Sequence, residues 1–375
     1  MEIGNPFFTI LVALQLMAVS LDVSAAQEKI LSVDSLRYYD GQQFVVTGKF
    51  HNEKNYLRFP LRYKGIVRDP VWMESLSSAG ISIRFRSNAT TMAVKWTLTA
   101  NEKSWNQCSA GVDGVDLYAN TGDGWQYVNT GLAKDTNNNF VLIKHGEPIY
   151  REYLLNLPLY NNVTSLSIGV NESAAIGLPV KNLLTEKKPV VYYGSSIAQG
   201  GSASRPGLAY TNILARKLDR SFINMGFSGE GTFDESVGSA MSEIDAALYV
   251  IDCTPNSKKE IIYERSVLLV KLLKEKKPSV PLLLVEGYYY DNTFFEKEGK
   301  ANVDAKRREL KRAYDILKKT GIKELYYKKG DGLDGFDHEA TVDGVHLDDI
   351  GMERFAANML PVIQMILNRK NRYND

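Results

Sequence analysis

Val190-Val191-Tyr192-Tyr193-Gly194-Ser195-Ser196-Ile197 decides how this chain is read. An apolar run of strand length breaks on glycine into two consecutive hydroxyls. In an open α/β sheet, ligands bind outside the carboxyl ends of the strands. A serine set immediately after such a strand is therefore held out to whatever the sheet binds.

Working downstream, apolar strands are expected at 190–193, 222–225, 247–252, 280–286 and 324–328. Amphipathic helical spacing separates them at 209–218, 260–276 and 303–319, and a last helix is expected at 352–368. Strand–helix alternation of this length predicts a doubly wound, flavodoxin-like parallel sheet with helices on both faces. Upstream, the period changes. Ile81-Ser82-Ile83-Arg84-Phe85-Arg86 alternates, as do 92–98 and 166–170, with turn signals at 120–124 and 135–139. Few stretches there carry helical spacing, so the first half predicts an antiparallel, jelly-roll-like β-sandwich. The charged linker Thr185-Glu186-Lys187-Lys188-Pro189 divides the two.

The amino terminus has the pattern of an export signal. Residues 6–19 are almost continuously apolar, and Val23-Ser24-Ala25-Ala26 offers small residues for cleavage, although Glu2 stands where a positive charge is usual. The apolar stretch is short for a membrane span, and no later one is long enough. The expected organisation is thus a signal peptide over 1–26, a β-sandwich over 27–186 and an α/β domain over 187–375.

In the 375 residues, 45 Lys and Arg nearly cancel 44 Asp and Glu, which argues against a nucleic-acid partner. Cys108 and Cys253 are the only cysteines, and Cys253 reads as a small core residue. No His or Cys pair has ligand spacing, so no metal is expected. No Gly-Lys-Ser/Thr follows the Gly194 turn, which disfavours a phosphate cradle.

A serine hydroxyl needs a base. Of the four histidines, His51 and His145 lie in the β-rich half, leaving His338 and His346. His338, between Asp337 and Glu339 in a glycine-rich loop, reads as a solvated surface residue. His346 has Asp343 three residues earlier, able to fix the imidazole tautomer that accepts from serine. Asn224-Met225-Gly226-Phe227-Ser228-Gly229 follows the second strand and offers backbone donors for an oxyanion. Ile251-Asp252-Cys253-Thr254-Pro255-Asn256 follows the third and delivers an amide.

These blocks, in this order, resemble the SGNH (GDSL-type) hydrolases over 190–368. The resemblance implies Ser196 as nucleophile, Asp343 and His346 as its partners, and Ser196, Gly229 and Asn256 as the oxyanion hole, with no cofactor. Gly114-Val115-Asp116-Leu117-Tyr118 resembles the GxDLY signature of a β-sandwich joined to SGNH domains in bacterial proteins. Read from the residues alone, that signature is a structural turn entering a strand. Ser195 replaces the usual Asp of Gly-Asp-Ser, Thr254-Pro255-Asn256 replaces the usual third block, and Leu347 replaces a common Pro.

The implied protein is a periplasmic or extracellular serine esterase, soluble when mature. Its expected substrate is an acyl ester, O-acetyl on a polysaccharide, and Tyr288-Tyr289-Tyr290 is a candidate border of the cleft. A lipase or arylesterase acting on lipid or small acyl esters, and a catalytically silent glycan-binding protein, stay open as alternatives. So does the oligomeric state.

Overall fold

Alternation sends every second side chain of the first-half strands inward, and β3 (Ser82–Ser87) and β5 (Val115–Asn120) are buried almost throughout. The computed structural model describes residues 35–100, 104–179 and 187–371. The apolar amino-terminal stretch lies outside them, as do Thr185 and Glu186 of the linker. The first half comprises β1 (Arg37–Asp40), β2 (Val45–Thr47), α1 (Asp69–Ser75), β3 (Ser82–Ser87), β4 (Met92–Leu98), α2 (Ser109–Val112), β5 (Val115–Asn120), β6 (Trp125–Gly131), β7 (Asn137–Ile143), β8 (Arg151–Asn156), β9 (Val163–Val170) and β10 (Ile176–Gly177).

Two antiparallel sheets result, one ordered β1-β9-β4-β7 and the other β10-β3-β8-β5-β6, with β2 on β3. Ile83, Phe85, Val94, Trp96, Leu117, Leu155 and Ile168 fill the space between them. One turn expectation is corrected: Asn137–Asn139 begin β7 and pair with Thr97, Trp96 and Lys95. β7 is an edge strand, where polar side chains are tolerated, and the turn proper precedes it. There Asn138 Oδ1 accepts the N–H groups of Lys134 and Asp135 at 2.8 and 3.1 Å.

The second half comprises β11 (Val190–Gly194), α3 (Ser196–Gln199), α4 (Tyr210–Leu218), β12 (Phe222–Gly226), α5 (Glu235–Ser242), β13 (Leu248–Asp252), α6 (Lys259–Lys276), β14 (Leu282–Val285), α7 (Lys297–Lys319), β15 (Leu325–Lys328) and α8 (Asp349–Asn371). The sheet is parallel and ordered β12-β11-β13-β14-β15. β11 to β14 are buried throughout, which is why they read as unbroken apolar runs. On β11, Val191 and Tyr193 face α5, α6 and α7, while Val190 and Tyr192 face α4 and α8. The chain leaves β11 for β12 on one side and then crosses to β13 on the other. The carboxyl end of β11 is therefore the topological switch point. Among the described residues no helix is long and apolar enough to cross a membrane.

Besides the single turns α2 and α3, two helices escape the sequence pattern. α1 buries Val71 and Trp72 against Tyr193, Phe227 and Met241 of the other half, so its apolar face has no local counterpart. α5 is built largely from small residues, and Gly238 lets Leu269 of α6 approach closer than any side chain would allow.

The halves are also pinned by the fully buried Asp116. Its Oδ2 accepts from Arg205 Nη1 at 2.7 Å and from the Gly207 N–H at 2.8 Å, while Oδ1 accepts from Asn156 at 2.8 Å. The GxDLY aspartate thus staples a sandwich strand to the loop ahead of α4. Asp116→Ala leaves Arg205 without its carboxylate and is expected to lower unfolding free energy by about 3–5 kcal/mol. Urea denaturation of the variant measures this.

Candidate active site

Ser196 stands at the first position of α3, at the switch point. The Ser195 hydroxyl caps this single turn by accepting the Ile197 N–H at 3.3 Å. The hydroxyl that replaces the family aspartate thus holds the turn beneath Ser196. His346 and Asp343 arrive on the loop before α8. Ser196 Oγ lies 3.1 Å from His346 Nε2, and His346 Nδ1 lies 2.7 Å from Asp343 Oδ2. With the Nδ1 proton directed at the carboxylate, Nε2 presents its lone pair to the serine.

Asp343 also organises its own loop. Its Oδ1 accepts the N–H groups of Val345 and His346 at 3.0 and 2.7 Å. Burial alone would push this carboxyl up. The His346 N–H, the Asn106 amide, the imidazole and the Val345 N–H outweigh burial and hold it at about 2. From below, Tyr288 donates to the Val345 carbonyl at 2.5 Å. Tyr288 is therefore buried under the histidine loop and does not border the cleft. Tyr289 turns to α7, with the Arg307 guanidinium 3.9 Å from its ring centre. His338 is exposed, its ring against Phe294 and 3.7 Å from Asp291.

Gly229 lies in the left-handed region at φ +73°, exposed, on the loop after β12. Asn224, at the start of that block, is buried and ties the loop to α3, donating to Ala198 O at 2.8 Å and accepting the Gly226 N–H at 2.8 Å. Ser228 N–H donates to Gln199 Oε1 at 3.0 Å. Asn256 accepts the Gly231 N–H through Oδ1 at 3.3 Å, leaving Nδ2 as its donor end. Gly231 itself packs on Gly194 and Ser195, where a Cβ would lie 2.2 Å from Gly194 O. The Asn256 loop is thereby tied, through Gly231, to the strand end that carries Ser196.

The first half supplies residues that no motif announced. Asn106 Nδ2 donates to Asp343 Oδ2 at 2.9 Å, across 237 positions of sequence. Ser202 Oγ donates to the Asn106 carbonyl at 2.9 Å, and Tyr160 OH donates to the Ser196 carbonyl at 3.3 Å. The fully buried Arg58 donates to Gly226 O and Glu74 O and lies 4.8 Å over the Phe227 ring. The site is thus braced from both halves. Exposed aromatic side chains stand beside the histidine loop: Phe294 and Phe295 on the turn whose Asn292 N–H donates to Gly344 O at 3.3 Å, and Trp105, next to Asn106, at 86% exposure.

Asp252 ends β13 beside Gly194, fully buried, facing the hydroxyls of Tyr192 and Tyr210 at 3.3 and 3.4 Å. Burial pushes its carboxyl up to about 7 against those two hydrogen bonds. Its folded pKa is raised above the ordinary 3.8. Between about pH 4 and pH 7 the unfolded chain has released this proton while the folded chain keeps it, so stability falls as pH rises. Asp252→Asn carries no such proton. The variant is expected to gain thermal stability relative to wild type as pH rises from 4 to 7, measured by unfolding temperature across that range.

The sequence pattern of the GDSL-like lipase/acylhydrolase family matches residues 187–364. That of the amino-terminal region of SGNH-type esterases, GxDLY, matches 36–176. No curated protein sequence matches the chain. Among solved structures, the chain is similar to a GDSL-like lipase of Bacteroides ovatus, with 32% identity and a TM-score of 0.85, covering 89% of this chain and 98% of that one. It shares its fold with a salicylyl-acyltransferase from a tetracycline biosynthetic pathway (14% identity, TM-score 0.72, covering 89% and 98%). It also shares it with a family two carbohydrate esterase from Clostridium thermocellum in complex with cellohexaose (13% identity, TM-score 0.58, covering 78% and 94%).

Proposed function

Because the chain belongs to the GDSL-like lipase/acylhydrolase family and is an esterase of that family, we propose that it is exported and removes O-acetyl groups from a carbohydrate. Ser196 is the nucleophile, His346 its base and Asp343 the group that orients the base. The single observation behind this is the hydrogen-bonded line from Ser196 Oγ through the imidazole to Asp343 Oδ2, at 3.1 and 2.7 Å.

In the first step Oγ bonds to the acyl carbon while its proton passes to His346 Nε2. The imidazolium then returns that proton to the leaving sugar oxygen as the ester C–O bond breaks. Water, deprotonated by the same nitrogen, attacks the acyl-serine, and the imidazolium returns that proton to Oγ as the acyl–Oγ bond breaks and acetate leaves. The N–H groups of Ser196 and Gly229 and the Asn256 Nδ2 hydrogen-bond the oxyanion of each tetrahedral intermediate. Asn256→Ala is expected to lower kcat by about 10²–10³-fold with little change in KM. Steady-state kinetics on an aryl acetate measures this.

Export is supported by the apolar stretch at 6–19 and the small residues at 23–26. The carbohydrate reading is supported by the fold shared with a carbohydrate esterase and by the exposed Trp105, Phe294 and Phe295 beside the histidine loop. Flat rings suit the apolar faces of sugars. The same Phe294 and Phe295 favour a second reading, in which they receive an apolar acyl chain. Incubation with a panel of natively acetylated glycans, with free acetate as the readout, decides between them. Acetate release is the expected result. Cleavage of long-chain esters with no acetate from any glycan overturns the carbohydrate reading.

A further inference from the structure

A cavity of about 590 Å³ opens along the seam between the halves, and none of its lining residues belongs to the site described above. One wall is the β5–β6 hairpin with Tyr118, Trp125 and Tyr127; the other is α4 and the loop before it, with Arg205 and Arg216. Junctions between folded units are favoured places for ligands.

The two guanidiniums differ. Arg205 sits 4.0 Å from the Tyr127 ring centre and is neutralised by Asp116 at 2.7 Å. Arg216 lies 3.9 Å over the Tyr118 ring, and among the described residues its guanidinium makes no hydrogen bond and no ion pair. Its Nη1 is buried without a partner, and burial lowers its pKa. Of the acids lining the cavity, Glu353 faces Lys217 at 3.6 Å, and Asp123 stands at the exposed hairpin tip. Asp116 and Glu353 act on it only from beyond ion-pair distance. A desolvated guanidinium with no carboxylate in contact is costly, and a bound anion relieves that cost. The fork of an arginine matches a carboxylate better than any neutral group. Trp125 and Tyr127 add ring surface beside it, the combination that suits a charged sugar.

We propose that this seam cavity binds the carboxylate-bearing sugar units of an acidic glycan, with Arg216 as the carboxylate partner and Trp125 and Tyr127 as ring platforms. The proposal rests on the carbohydrate reading above and narrows it to acidic polysaccharides. The loop from Gly200 to Arg205 joins α3 to the cavity wall, so the acidic unit occupies a subsite separate from the ester under attack.

Affinity electrophoresis of the full mature chain carrying Ser196→Ala tests this with no turnover to confuse it. The probes are polygalacturonate and an uncharged galactan. Retardation by polygalacturonate alone is expected, and Arg216→Gln in the same background is expected to weaken it about tenfold. Lys276→Gln, which removes an equal charge from the exposed end of α6, is expected to leave it unchanged. If Arg216→Gln fails to fold, as judged by circular dichroism, Tyr127→Ala at the exposed hairpin position decides, with a several-fold loss expected. Equal retardation by the two polymers overturns the proposal. So does equal loss in Arg216→Gln and Lys276→Gln, or undiminished retardation in a Tyr127→Ala variant used in their place. Failure of the esterase reading shows elsewhere, as wild type that a serine-directed reagent does not label.

Discussion

Ser196→Ala is expected to lower kcat on an aryl acetate by about 10⁴–10⁶-fold, with the fold and unfolding temperature unchanged. The size follows from the division of labour. Without Oγ no acyl-enzyme forms, and only the oxyanion donors and the bound geometry remain to assist water. The fold survives because the hydroxyl that caps α3 belongs to Ser195 and not to Ser196. Parallel measurements of kcat and unfolding temperature separate the two. A variant that retained near-wild-type turnover would remove Ser196 from the mechanism.

The second large effect is expected from Asp343→Asn, about 10³–10⁴-fold in kcat. Oδ1 accepts N–H groups from Val345 and His346, so the asparagine oxygen must stay there to keep the loop. Its new NH₂ then replaces Oδ2 and faces both His346 Nδ1 and Asn106 Nδ2. A donor now points at Nδ1, which must become the acceptor. The ring proton moves to Nε2, the nitrogen 3.1 Å from Ser196, and the base is lost. Backbone geometry is retained, so the variant loses kcat while KM stays close to wild type. The wild-type carboxylate, held at about 2, stays ionised throughout the working pH range. The stability it contributes is complete above the ordinary 3.8 and is lost only as pH falls through 2.

The α/β half was legible because its physics is local. Strands buried on both faces must be apolar along their length, and all five expected strands fall within a few residues of β11 to β15. The blocks that carry chemistry follow those strands, as ligand sites in such sheets do, and 196, 343 and 346 are brought together there. Asn106 was not legible. An asparagine beside an exposed tryptophan in a loop has no period and no spacing, and its importance comes only from a contact made across 237 positions. The same holds for α1, whose apolar face is satisfied by Tyr193 and Phe227 of the other half. Asn137–Asn139 misled for a related reason: on an edge strand, composition follows solvent exposure more than backbone state.

Labelling with a serine-directed fluorophosphonate, followed by peptide mapping, tests the central assignment most directly. The expected result is one adduct, on Ser196, formed in wild type and lost in His346→Ala. An adduct on another serine, or none at all from a preparation that hydrolyses esters, would contradict it.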